Sequence, residues 1–142
     1  MTSDALQPGL KGEASLVIAN EHTAQHLGSG SVKVLATPQM ALLMERAGVA
    51  AVDHLLPEGY RTVGTHLDVH HLAPSPIGLE VRATAELLAV DGRRLTFRVE
   101  ARETGAGAEQ LVGEGTHQRV IIDVQRFSDR VAQKAAATQA DS

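Results

Sequence analysis

The chain has no cysteine, and that single absence excludes disulfide bonds, thiolate metal sites and thiol nucleophiles. Tryptophan is also missing, and aromatic residues make up only 2% of the chain (Tyr60, Phe97 and Phe127). Leu, Val, Ile, Ala and Met must therefore supply the core volume, and small side chains let elements approach closely. A basic excess is lacking too: the net charge is -4, which gives no reason to expect nucleic acid or an anionic membrane as partner. No run approaches about 18 consecutive apolar residues, and the amino terminus, MTSDALQPGLKGE, has neither the basic start nor the apolar stretch of a secretory signal. A cytoplasmic location is the expectation. Gly-x-Ser-x-Gly, Walker A, Gly-x-Gly-x-x-Gly and His-Glu-x-x-His patterns do not occur in a context that would give them chemistry.

What is present fits one domain of 142 residues. Residues 1–11 are polar with a Pro8-Gly9 pair, and residues 132–142 are rich in Ala and Gln without an apolar partner face, so both ends are expected to be loose around a domain spanning 12–131. Gly12 to Ala19 reads as a first strand, and Asn20 to Gly30 as a loop. From Thr37 to Leu56 runs the longest helical signal, with Thr37 at the N-cap, Pro38 behind it, and Pro57 and Gly59 as the stop. Met40, Leu43, Met44, Ala47, Ala51 and Leu55 form its packing stripe. Ala41, Leu42, Gly48, Val49 and Val52 make the other sides apolar, which predicts a helix buried nearly all round.

Four further strands can enclose such a helix: Val63 to Leu72, Leu79 to Val90, Arg94 to Arg102 and Leu111 to Val124. Odd positions are apolar in two of them, Leu79 to Leu87 and Leu95 to Ala101, and Asp91-Gly92 between these is a hairpin signal. The order predicts an α+β fold in which a long central helix is wrapped by a curved antiparallel sheet of about five strands.

Chemistry concentrates around that helix. Glu45 lies mid-helix among Ala41, Gly48, Val49 and Val52, where a carboxylate is costly unless it reaches solvent, pairs with a cation such as Arg46, or has a function. Alternation in the following strand places Val63, Thr65, Leu67, Val69 and His71 on one face and Gly64, His66, Asp68 and His70 on the other. His71 thus follows the apolar register. It is either a core histidine satisfied by a carbonyl or a partner for the helix carboxylate suited to neutral pH. Thr37 either caps the helix or offers a hydroxyl where a carbonyl oxygen gains charge, about 12 Å from Glu45 by helical rise. The spacing of His66, Asp68 and His70, and of His22 and His26, could hold a metal, but the polar register favours a solvated face, and no metal site is expected.

The stretch Val34-Leu-Ala-Thr-Pro-Gln-Met-Ala-Leu-Leu-Met-Glu45 followed by Val63-Gly-Thr-His-Leu-Asp-Val-His-His-Leu-Ala-Pro-Ser-Pro-Ile-Gly78 resembles the fluoroacetyl-CoA thioesterase-like family of the hotdog superfamily. Val90-Asp-Gly-Arg-Arg-Leu-Thr-Phe-Arg-Val99 and Gly113-Glu-Gly-Thr-His-Gln-Arg119 extend the likeness. The resemblance implies a hotdog fold, a homodimer with sites at the subunit interface, and hydrolysis of an acyl-CoA thioester with no cofactor beyond the CoA of the substrate. It assigns the catalytic set to Thr37, Glu45 and His71, polarisation of the thioester carbonyl to the Gly64 N–H, and a place near the site to Arg119. CoA would run along surface arginines such as Arg93, Arg94 or Arg119. The fluoroacetyl-specific member carries a phenylalanine-rich segment before its threonine, whereas Gly28 to Ala36 here has no aromatic, which implies a more open acyl pocket. Two rivals to hydrolysis are a hotdog protein that binds acyl-CoA without cleaving it and an enoyl-CoA hydratase; the first would lack Thr, Glu or His, and the second would show an Asp and His in a spacing that Asp68 with His70 or His71 fits poorly.

Overall fold

The computed structural model describes residues 5–105 and 107–140. Along the chain come β1 (Lys11–Val17), a 3-10 turn (Asn20–His22), α1 (Ala24–Leu27), α2 (Thr37–Val52), a second 3-10 turn (Asp53–Leu55), β2 (Tyr60–His71), β3 (Glu80–Asp91), β4 (Arg94–Thr104), β5 (Glu109–Asp123) and α3 (Val124–Ala140). The five strands form one antiparallel sheet in the order β1-β3-β4-β5-β2, with α2 lying across its inner face.

Period-two patterning decides which face is inside. Val81, Ala83, Ala85 and Leu87 of β3 and Leu95, Phe97, Val99 and Ala101 of β4 are buried, and they meet Met40, Leu43, Met44, Ala47 and Ala51 of α2. The small residues set the distance between layers. A Cβ on Gly12 of β1 would collide with the backbone of α2 at Ala47, Ala50 and Ala51, so only glycine lets this strand seat against the helix. The β3–β4 turn is Gly92-Arg93, with Gly92 at φ 61°.

Three expectations need correction. The helix is not buried all round: Leu42 and Val49 are each 37% exposed, because α2 lies on the sheet and its opposite side has no cover within one chain. Residues 5–10 are tied down, with Leu6 buried and the Gly9 N–H bonded to the Leu87 carbonyl; residues 1–4 lie outside the described region. Residues 124–140 are helical rather than strand end and loose tail. Ala132, Ala135, Ala136 and Ala137 carry the strongest intrinsic helix preference, and the Asp123 carboxylate caps the Arg126 N–H at 3.1 Å.

Candidate active site

Helix α2 begins one residue earlier than its sequence signals suggest. Ala36 is the N-cap, Thr37 is already in the first turn, and no side chain caps the start. The Thr37 hydroxyl is therefore free of the capping role, and its Oγ1 lies 2.8 Å from His71 Nδ1 at the end of β2. Both residues line a cavity of about 310 Å³ together with Ala24, Ser29, Val34 and Leu35. The aromatic-free segment thus forms part of this wall. His71 Nε2 is buried without a protein partner, and burial lowers the pKa of the ring below the usual histidine value of 6.5. A neutral imidazole here shares one proton with Thr37, while its other nitrogen is enclosed and has no protein partner.

A second group forms two turns further along α2. The Glu45 carboxylate is 35% exposed and lies 3.8 Å from Arg119 Nη1, so it has both partial solvation and a cation. Its partner is Arg119 of β5 rather than Arg46, which is exposed. Arg119 is itself only 5% exposed, which removes it from the surface arginines expected to track CoA. Its Nε donates to Thr62 Oγ1 (2.7 Å), its Nη2 to the Thr62 carbonyl (3.0 Å) and its Nη1 to His117 Nε2 (3.1 Å). Thr62 donates onward to Asp53 Oδ1 (2.5 Å). Burial lowers the Arg119 pKa, opposed by Asp53 and Glu45, and the guanidinium stays charged near neutrality.

Gly64 sits against this group. A Cβ there would stand 2.5 Å from Glu45 Oε2 and 3.3 Å from both Arg119 Nη1 and His117 Cε1. Strict alternation puts Gly64 and His71 on opposite faces, but the β2–β5 register runs Gly64 to Arg119 and then His66 to Gln118, leaving Thr65 as an extra residue. After this bulge Leu67, Val69 and His71 pair with His117, Gly115 and Gly113. Gly64 and His71 consequently both face the helix.

His117, Thr62 and Asp53 were not singled out from the sequence. His117 was nonetheless visible in register, since Gly113, Gly115, His117, Arg119 and Ile121 alternate along β5 and the last is core. Thr37 with His71 and Glu45 with Gly64 and Arg119 remain two clusters, about 12 Å apart along α2 by helical rise. On the other face, His70 and Asp68 are exposed and 4.0 Å apart. Among the described residues no three His, Cys, Asp or Glu side chains converge as for a metal, and no helix is long and apolar enough to cross a membrane.

The sequence model of the fluoroacetyl-CoA-specific thioesterases matches residues 18–125. A fluoroacetyl-CoA thioesterase from Streptantibioticus cattleyicolor is 37% identical over 94% of this chain and 98% of its own length. A solved variant of the fluoroacetyl-CoA thioesterase in complex with acetyl-CoA is similar at a TM-score of 0.82, with 36% identity over 91% of this chain and 98% of that one. A thioesterase superfamily member from Thermus thermophilus is similar at a TM-score of 0.86, with 27% identity over 94% and 96%. The curled sheet around a long helix is the hotdog-type architecture of these thioesterases.

Proposed function

Because the chain belongs to the fluoroacetyl-CoA-specific thioesterase family, we propose that it hydrolyses a small acyl-CoA thioester to the free acid and CoA, with Thr37, Glu45 and His71 as its catalytic residues. The observation that carries this reading is the Thr37–His71 hydrogen bond on the wall of a cavity, with His71 Nε2 left without a protein partner. In the proposed reaction the thioester carbonyl rests against the Gly64 N–H. Glu45 orients and activates a water; its oxygen forms a bond to the carbonyl carbon, the carbon–sulfur bond breaks, and a proton reaches the CoA thiolate through His71. A neutral imidazole suits this passage, since it can take a proton and give it up within one turnover.

Two copies of the chain are proposed to build each site. Strand β2 is an edge of the sheet, 12 residues long and exposed from Gly64 to Asp68, which is an open template for pairing. Antiparallel pairing of two such edges about a two-fold axis at Asp68, with Thr65 bulged out of each strand, sets Gly64 of one copy opposite His71 of the other. Directly opposed residues point to the same side, so Glu45 and Gly64 from one copy would meet Thr37 and His71 from the second. The exposed Leu42 and Val49 beside Glu45 would be covered by the same association.

Thiol release from short, branched and aromatic acyl-CoAs, compared between the native protein and Glu45→Gln, tests the assignment. Hydrolysis of at least one substrate and a loss of about 100-fold or more in Glu45→Gln are expected. Equal rates would remove Glu45 from the mechanism, and acyl-CoA binding without thiol release would favour the non-hydrolytic alternative.

A further inference from the structure

His117 is fully buried between four elements and takes no part in the proposed proton transfers. Its ring stacks on Phe97 of β4, with centroids 6.1 Å apart. On the α2 side it meets Gly48, where an added Cβ would stand 3.4 Å from His117 Cδ2 and 3.3 Å from Arg119 Cδ. The absence of a side chain at Gly48, one turn beyond Glu45, leaves room for the His117–Arg119 layer beneath the helix.

Both nitrogens of His117 have partners whose chemistry admits one tautomer. Nδ1 lies 2.8 Å from the His66 carbonyl, which can only accept, so Nδ1 carries the proton. Nε2 lies 3.1 Å from Arg119 Nη1, which can only donate, so Nε2 must be the unprotonated acceptor. A charged imidazolium would turn an N–H toward a guanidinium. The charged or titratable groups around it are Arg119 on β5, Glu45 on α2 and His66 on β2. Burial and Arg119 together favour the neutral ring, against the His66 carbonyl and Glu45.

This arrangement determines how Arg119 meets Glu45. One edge of the guanidinium is fixed by Thr62, and His117 draws an N–H of Nη1 away from the carboxylate. Glu45 stays 3.8 Å from Nη1, an ion pair without a hydrogen bond. A hydrogen-bonded Arg–carboxylate pair would occupy lone pairs that Glu45 needs for water. We propose that His117 is a positioning residue whose Nε2 holds Arg119 at ion-pair distance from Glu45, leaving the carboxylate oxygens free to engage water. The proposal rests on the reading of Glu45 as catalytic.

Two variants separate the ring's nitrogens. In His117→Gln the side-chain oxygen reaches the Nε2 position and still accepts from Arg119; in His117→Asn the amide N–H replaces Nδ1 and Arg119 loses its acceptor. His117→Gln is expected to keep kcat within about threefold of native, and His117→Asn to lose about tenfold or more with KM within about twofold. Equal kcat in the two variants, or the reverse order, would overturn the proposal. Nitrogen NMR of the native protein gives an arm that needs no variant: His117 should be the neutral Nδ1–H tautomer from about pH 7 to about pH 8, and an Nε2–H tautomer or an imidazolium there would overturn it as well. A native rate in Glu45→Gln sinks both this role and the catalytic reading. An inactive Glu45→Gln beside equal His117 variants sinks the positioning role alone.

Discussion

Gly64 and His71 stand seven residues apart on β2 and face the same side of the sheet, because Thr65 is an unpaired bulge between them. An odd separation in a regular strand would put them on opposite faces, so their shared face at this spacing comes from one residue that leaves the ladder. Deleting Thr65 leaves the two residues six apart in a regular strand, which keeps both on the helix side with the same β5 partners. Thiol release is expected to stay within about tenfold of native, with far-ultraviolet circular dichroism of native shape, since the lost contacts of Thr65 amount to one hydroxyl bond to the Gln118 carbonyl. A loss of about 1,000-fold or more in the folded deletion variant would show that the bulge itself, and not only the shared face, is required.

That bulge also marks the limit of what the sequence reveals. The paired strands β3 and β4 were legible because every second residue is apolar and each has one buried face, and the long helix was legible from its stop signals and its Met40 to Ala51 stripe. A bulge leaves no comparable trace, since Thr65 has the composition of any strand residue and its effect is only to shift later pairing. Thr37 was placed at the cap on local chemistry, yet its hydroxyl goes to His71, 34 residues away, a contact only the fold can create. The partner of Glu45 was equally non-local: Arg119 arrives from β5, and His117 beside it looked like a strand histidine until its two hydrogen bonds were placed. Resemblance to a family supplied Gly64 and Arg119 where periodicity could not.

Separation of the two clusters along α2 predicts complementation between inactive chains. If Glu45 and Gly64 come from one copy and Thr37 and His71 from the other, Glu45→Gln and His71→Asn are each inactive alone. A mixed dimer then holds one site with neither lesion and one with both. Random exchange of equal amounts should restore about a quarter of native thiol release per chain, because about half of the dimers are mixed and one site in each is intact. Sedimentation or native mass spectrometry checks that exchange has occurred. No recovery in a verified mixture would place all three residues of a site in one chain.

One buried and one half-buried ring predict a specific dependence of stability on pH. Burial lowers the pKa of His71, and lowers that of His117 with Arg119 adding to the effect, whereas the unfolded chain leaves both near 6.5. Below that value the unfolded chain takes up protons that the folded chain excludes. Their contribution is therefore complete above pH 6.5 and is lost as the pH falls from there toward each lowered folded value. For the fully buried His117 the slope cannot exceed about 1.4 kcal/mol per pH unit, one proton's worth. Urea unfolding from about pH 8 to about pH 5 should show native stability declining on the acid side, with a shallower decline in His117→Gln because glutamine does not titrate. Since the two proteins share every other ionisable group, parallel curves would mean that His117 binds a proton as readily in the folded chain as in the unfolded one, contrary to its enclosure between Phe97, Gly48 and Arg119.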